Sequence, residues 1–142
     1  MMTEQKLTQV FNDNFTAYFK SHVAHVNIMG RNFHGDHALL GEIYEDLQSQ
    51  IDVIAEILRS ITAFMPADLS DVVTMSHIGG TMEGNSDSML AQVQTDLQHL
   101  KEMYAELMEA ADEEEYDEIE NYAQERILKL GKFLWMLTAT LD

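Results

Sequence analysis

Apolar residues recur every three or four positions along four long stretches of this chain, and that spacing predicts four amphipathic helices. The first carries Leu7, Phe11, Phe15, Tyr18, His22, His25 and Met29, with Gly30 as its C-terminal stop. The second carries Leu40, Ile43, Leu47, Ile51, Ile54, Leu58 and Ile61, spans about residues 36–63, and must end before Pro66. The third holds Leu90, Val93, Leu97, Leu100, Tyr104, Leu107 and Ala111; the fourth holds Ile119, Ala123, Ile127, Leu130, Leu134, Leu137 and Leu141. No stretch alternates apolar and polar for long enough to predict a strand. Between the second and third helices, residues 65–86 form a long connection with a short helix over 68–76 and a Gly-rich loop after it. The fold class expected is therefore all-α: a four-helix bundle with a short extra helix in the crossover between helices 2 and 3.

Composition narrows the picture. A chain of 142 residues, 46% apolar, suits a single domain over 1–142. The 10 methionines fall mostly on or beside the apolar stripes and are read as core filling. With no cysteine, a disulfide, a thiolate metal site and a Cys nucleophile are excluded. The net charge of −17 argues against a nucleic-acid or anionic-membrane surface, since both need Lys and Arg against phosphate. No apolar run reaches the length of a membrane span. The opening Met-Met-Thr-Glu-Gln-Lys lacks the basic flank and apolar core of a signal peptide, so a cytoplasmic location is expected. Residues 102–125 hold eleven acids and no Lys or Arg. They read either as a solvated turn or as a funnel for cations, the latter only if symmetry brings several copies together.

The candidate chemistry lies in His25, His37, Asp52 and Glu56. Imidazole and carboxylate together ligate first-row metals such as iron and zinc. Asp52 and Glu56 stand one turn apart and can face one ion. His37 and Asp52 are 15 residues apart on the same predicted helix. At about 1.5 Å per residue that is roughly 22 Å, whereas metal–ligand bonds are near 2 Å. If the four residues form one site, it must lie between two chains, with antiparallel copies of helix 2 placing His37 against the other copy's Asp52 and Glu56. From the residues alone, hydrogen-bonded histidines and a solvated carboxylate pair are the other reading, and both stay open. His22, His34, His77 and His99 show no partner in the pattern. His34, Asp36 and His37 cluster locally and read as a solvated helix start, with a weak surface site as the alternative.

The segment from His25 through Gly30 and Phe33 to His37, followed by Asp52-Val-Ile-Ala-Glu56, resembles the signature of the Dps family, the DNA-protecting mini-ferritins. Lys132-Phe-Leu-Trp135 resembles that family's last helix, and the similarity covers about residues 10–141. The resemblance implies a ferritin-like subunit, a hollow dodecamer built from two-fold dimers, and a ferroxidase site shared across the dimer axis. There ferrous iron would be oxidised, by peroxide in much of the family, and stored as ferric mineral; zinc is a possible substitute ion. His25, His37, Asp52 and Glu56 match the implied metal ligands and catalytic residues. Asp112, Asp117, Glu118 and Glu120 are the implied pore residues.

Three departures qualify the match. Gly41 stands where the family has a ligand Asp; Glu42 points about 100° away on a helix, and Glu45 is a turn further. Val26 replaces the Trp beside the first His. The termini lack the Lys-rich tail used for DNA, offering Lys6 at one end and Thr-Leu-Asp142 at the other. The leading expectation is an iron-oxidising, iron-storing shell that does not coat DNA. The alternatives are a shell with impaired ferroxidase that serves as a weak metal-binding cage, and an acidic protein that mimics nucleic acid.

Overall fold

The computed structural model describes all residues, Met1–Asp142. Its helices are α1 (Met2–Asn27), α2 (Phe33–Ser60), α3 (Leu69–Met75), α4 (Ser86–Glu113) and α5 (Asp117–Leu141). The expected all-α bundle, with a short helix in the crossover, is what the chain forms.

Side-chain pairs give the helix directions. Asn14 donates to the Leu47 carbonyl at 2.9 Å and His25 meets His37, so α1 and α2 run antiparallel. Lys6 with Glu106 and Lys20 with Asp96 make α1 and α4 antiparallel too. Helices α2 and α4 are therefore parallel, which is why a long crossover must join them. Arg126 with Asp46 and Tyr122 with Gln50 set α5 antiparallel to α2. The four apolar stripes merge into one cluster of 28 buried residues, with Leu7, Leu40, Leu97, Tyr104 and Leu137 at 0% exposure. Burying a Leu or Ile side chain contributes about 1.5–3 kcal/mol, against tenths of a kcal/mol for helix propensity; packing, not propensity, holds these helices.

Two helix ends differ from expectation. Helix α2 stops at Ser60, well before Pro66. The N–H of Thr62 bonds the Arg59 carbonyl and that of Ala63 bonds Leu58, with Thr62 at φ 66°. This is a Schellman cap with a β-branched residue where glycine is usual, so backbone geometry ends the helix and the proline merely follows. Glu115 (φ 64°) closes α4 in the same way, with Tyr116 N–H on Ala111. Helix α1 ends at Asn27, with extended Ile28 and then Gly30 at φ +117°. Asp68 caps α3, accepting from Ser70 N–H at 2.8 Å, and Asn85 caps α4.

The methionines bear out the core reading in part. Met89 and Met103 are buried and Met82, Met108 and Met136 pack against the core, while Met1, Met2, Met29, Met65 and Met75 are exposed. Several large apolar side chains are exposed: Phe19, Val26, Phe64, Leu128 and Trp135 are each more than half exposed.

Candidate metal centre

His25 lies in the last turn of α1 and His37 in the second turn of α2, and the antiparallel hairpin brings them together. Their rings stack at 3.8 Å between centroids and 16° between planes. Each binds the other's backbone: His25 Nδ1 to the His37 carbonyl at 2.7 Å, and His37 Nδ1 to the His25 carbonyl at 2.6 Å. A carbonyl oxygen only accepts, so each Nδ1 is the donor and carries the proton. With Nδ1 so engaged, Nε2 is the ring nitrogen left to meet a metal. Orienting an imidazole through its second nitrogen is how proteins fix a ligating histidine. Phe33 covers His37 at 4.9 Å, and Tyr44 packs against His25 at 4.9 Å while stacking on His22 at 4.1 Å and 2°. His22 thus has an aromatic partner that the sequence pattern did not indicate.

Gly41 has a physical reason in this packing. A methyl at 41 would lie 3.0 Å from Cε1 and 3.3 Å from Nδ1 of His25. The ring of His25 rests directly on the helix backbone there, in space where a longer residue would place its side chain. Glu42 and Glu45 do not compensate: both line a cleft with Asp46, Lys129 and Lys132, toward α5. If His25 is a metal ligand, Gly41→Ala should push its ring off this seat and lower metal affinity by about 10–100-fold, the range for disturbing the surroundings that orient a ligand. The fold should be kept, since Ala gains about 1 kcal/mol of helix propensity over Gly. Zinc titration alongside thermal melting checks both halves.

Asp52 and Glu56 lie on the exposed flank of α2 as neighbours one turn apart. With α2 unbroken from Phe33 to Ser60, their separation from His37 stays at roughly 22 Å, so one chain does not bring the four residues together. The His34–Asp36 region is a helix start as expected, with His34 exposed, but Asp36 is covered rather than solvated. Burial, then the nearby Asp87, raises its carboxyl above the usual range.

The acids at 112–120 divide into two roles. Glu114 accepts from both the N–H and the hydroxyl of Thr3, tying the start of α1 to the α4–α5 turn, and those bonds hold its carboxyl low. Asp112, Asp117 and Glu118 are exposed. Glu120 is raised by partial burial and then by its hydrogen bond and charge contact with Asp112, with Asp117 adding to it. These like charges crowd one another.

A second cluster was not legible from spacing, and it corrects the reading of His77 and His99 as partnerless. Both converge on Asp13, whose side chain is fully buried, at 3.3 Å from His77 Nδ1 and 3.0 Å from His99 Nε2. The available signal was Asp13 itself, flanked by Asn12 and Asn14 on a helix whose core face begins at Leu7 and Val10. A buried carboxylate requires partners.

Comparison with known proteins follows from this architecture. The family model described as "Ferritin-like domain" matches residues 4–142. The DNA protection during starvation protein of Helicobacter pylori is 27% identical over 99% of this chain and 99% of its own length. Antigen TpF1 of Treponema pallidum is 31% identical over 96% of this chain and 78% of its own. The crystal structure of TpF1 superposes with a TM-score of 0.93 at 30% identity, covering 99% of this chain and 91% of that one. A Dps protein from Bacillus brevis gives a TM-score of 0.93 at 25% identity, covering 99% and 95%.

Proposed function

Since the chain belongs to the ferritin-like domain family, and within it to the Dps family, we propose that it binds ferrous iron between His25 and His37 of one protomer and Asp52 and Glu56 of a second. It oxidises that iron and stores it as ferric mineral in a hollow cytoplasmic shell, each chain a single ferritin-like domain. The observation that carries this reading is the stacked histidine pair with both Nε2 atoms free, half of a ligand set whose carboxylate half sits exposed on the same helix. An antiparallel two-fold pairing of α2 supplies the missing half twice over. Phe19, Val26, Phe33 and Val53, exposed on the two helices that carry the ligands, are apolar surface for such an interface.

In the proposed reaction two ferrous ions each give up one electron. Hydrogen peroxide takes both, and with two protons becomes two waters. The imidazoles and carboxylates hold the ions; the carboxylate charge favours the ferric product. The test is stopped-flow oxidation of ferrous iron with peroxide and with dioxygen. The His37→Ala, Asp52→Ala double variant should be slower by at least about 100-fold, more than a lost supporting contact costs; an unchanged rate would sink the enzyme reading. Gly41 favours one second reading, a cage with weak oxidation, because a carboxylate is absent and His25 fills the space. Slow wild-type turnover with full iron uptake would select it.

Asp112, Asp117, Glu118 and Glu120 are proposed to line an entry for cations where chains meet. Their crowding supports this, since a cation relieves it. Replacing all four with the amides should slow iron uptake several-fold while light scattering shows an unchanged assembly. DNA binding is not part of the proposal. Of the 8 Lys and Arg residues, Lys6, Lys20 and Arg126 are already paired with carboxylates. No gel shift of duplex DNA is expected even at low salt, where phosphate contacts are strongest.

A further inference from the structure

The cluster of Asp13, His77 and His99 joins three segments distant in sequence: the middle of α1, the crossover just past α3, and the middle of α4. We propose that these three residues form a second divalent-metal site, of zinc type, that clips the crossover to α1 and α4. None of the three belongs to the proposed iron site, so the two readings stand or fall separately.

The donor set is two imidazoles and one carboxylate without sulfur, which suits zinc and its first-row neighbours with one position left for water. The geometry is close to ready. The donor atoms lie within 4.8 Å of one another. Asp13 Oδ2 is 3.3 Å from His77 Nδ1 and 3.0 Å from His99 Nε2. Corners of a tetrahedron about 2.0 Å from its centre are about 3.3 Å apart, so an ion needs only small ring movements.

The carboxylate is also pre-oriented. Its Oδ1 accepts from the His77 backbone N–H at 2.7 Å, from the Ser76 hydroxyl at 3.1 Å and from Gln9 Nε2 at 3.1 Å. Those bonds fix the side chain and leave Oδ2 to the two imidazoles alone, the supporting arrangement typical of a ligating carboxylate. Ion entry is open, because the His77 side chain is 52% exposed while Asp13 is wholly buried. The rings approach edge to face at 72°, not stacked, so both nitrogens can aim at one point. Without an ion the same atoms make two N–H···O bonds to Oδ2, and an ion would take the place of those protons.

The experiment uses the assembled protein and Zn²⁺ or Co²⁺ alone. In the His37→Ala, Asp52→Ala background, calorimetry should still give one Zn²⁺ per chain. Adding His77→Ala and His99→Ala should weaken that binding by at least about 100-fold, since losing a supporting contact alone costs 10–100-fold. The background protein should melt at a higher temperature with Zn²⁺, and the His77→Ala, His99→Ala form should not. Co²⁺ should give the visible absorption of a tetrahedral ion in protein with all three residues present. If Zn²⁺ affinity is the same with and without His77 and His99, or if no tetrahedral Co²⁺ band forms, the proposal is wrong. His77 is exposed and outside every helix, so His77→Ala alone gives the same decision should the pair destabilise the fold.

Discussion

Shells assembled from a mixture of His37→Ala and Asp52→Ala chains are expected to recover ferrous oxidation that neither variant has by itself. Each proposed site takes its histidines from one chain and its carboxylates from the other. In a dimer of the two variants, one site carries both lesions and the other carries none. Random pairing makes half of the dimers mixed, so about a quarter of all sites become intact. Activity should therefore rise from near zero to about a quarter of wild type, measured by stopped-flow after co-refolding, with each variant refolded alone as control. A site confined to one chain predicts no recovery at any mixing ratio. Combining both substitutions in the same chain and mixing with wild type gives the complementary check: loss should be steeper than linear, because a mixed dimer then has both of its sites damaged.

The fold was legible in the sequence because every long helix has an apolar stripe of period near 3.6 and because Pro66 and the Gly-rich loop mark one long crossover. The length of that connection fits the parallel relation of α2 and α4 that the side-chain pairs reveal. Helix ends were read less well. Thr62 and Glu115 adopt left-handed geometry without glycine, and a Schellman cap without its usual residue leaves no local mark. The methionine reading held for five of the ten, Met82, Met89, Met103, Met108 and Met136, which lie in or against the core; the exposed five sit at the chain start and around the loops, where helical periodicity says nothing about burial. Of the candidate centre, the inability of His37 to meet Asp52 within one chain followed from helix rise alone. The reciprocal histidine–carbonyl bonds and the close seat of His25 on Gly41 did not, since both depend on how closely α1 approaches α2. Asp13, His77 and His99 were missed because their convergence is set by where the crossover lands, which no local spacing encodes.

Asp46→Ala is expected to be among the most destabilising single changes in the chain, although Asp46 is not in the apolar core. Arg126 holds Asp46 in a two-bond fork, Nη1 to Oδ1 at 3.1 Å and Nη2 to Oδ2 at 2.6 Å, with side-chain exposures of only 6% and 16%. Burial works against the guanidinium charge, and the hydrogen bond to Asp46, then the neighbouring Tyr104, the Asp46 charge and Tyr122, more than offset it, raising the affinity of Arg126 for its proton. Removing the carboxylate leaves a buried cation whose Nε already lacks a partner. Breaking one side of such a pair costs about 3–5 kcal/mol. For a chain of this size that is a melting point lower by about 10–17 °C, read by circular dichroism at neutral pH. The cause can be separated from lost packing. Asp46→Ala with Arg126→Met removes the stranded charge as well as its partner and should regain most of the loss. If the double variant melts as low as the single one, the pair matters as packing and not as charge. The same comparison reaches the proposed iron site, because α2 carries His37, Asp52 and Glu56 and this fork is one of its ties to α5. Iron oxidation should fall in the single variant near its melting range and return in the double variant, tracking the hold on α2 and not the identity of residue 46.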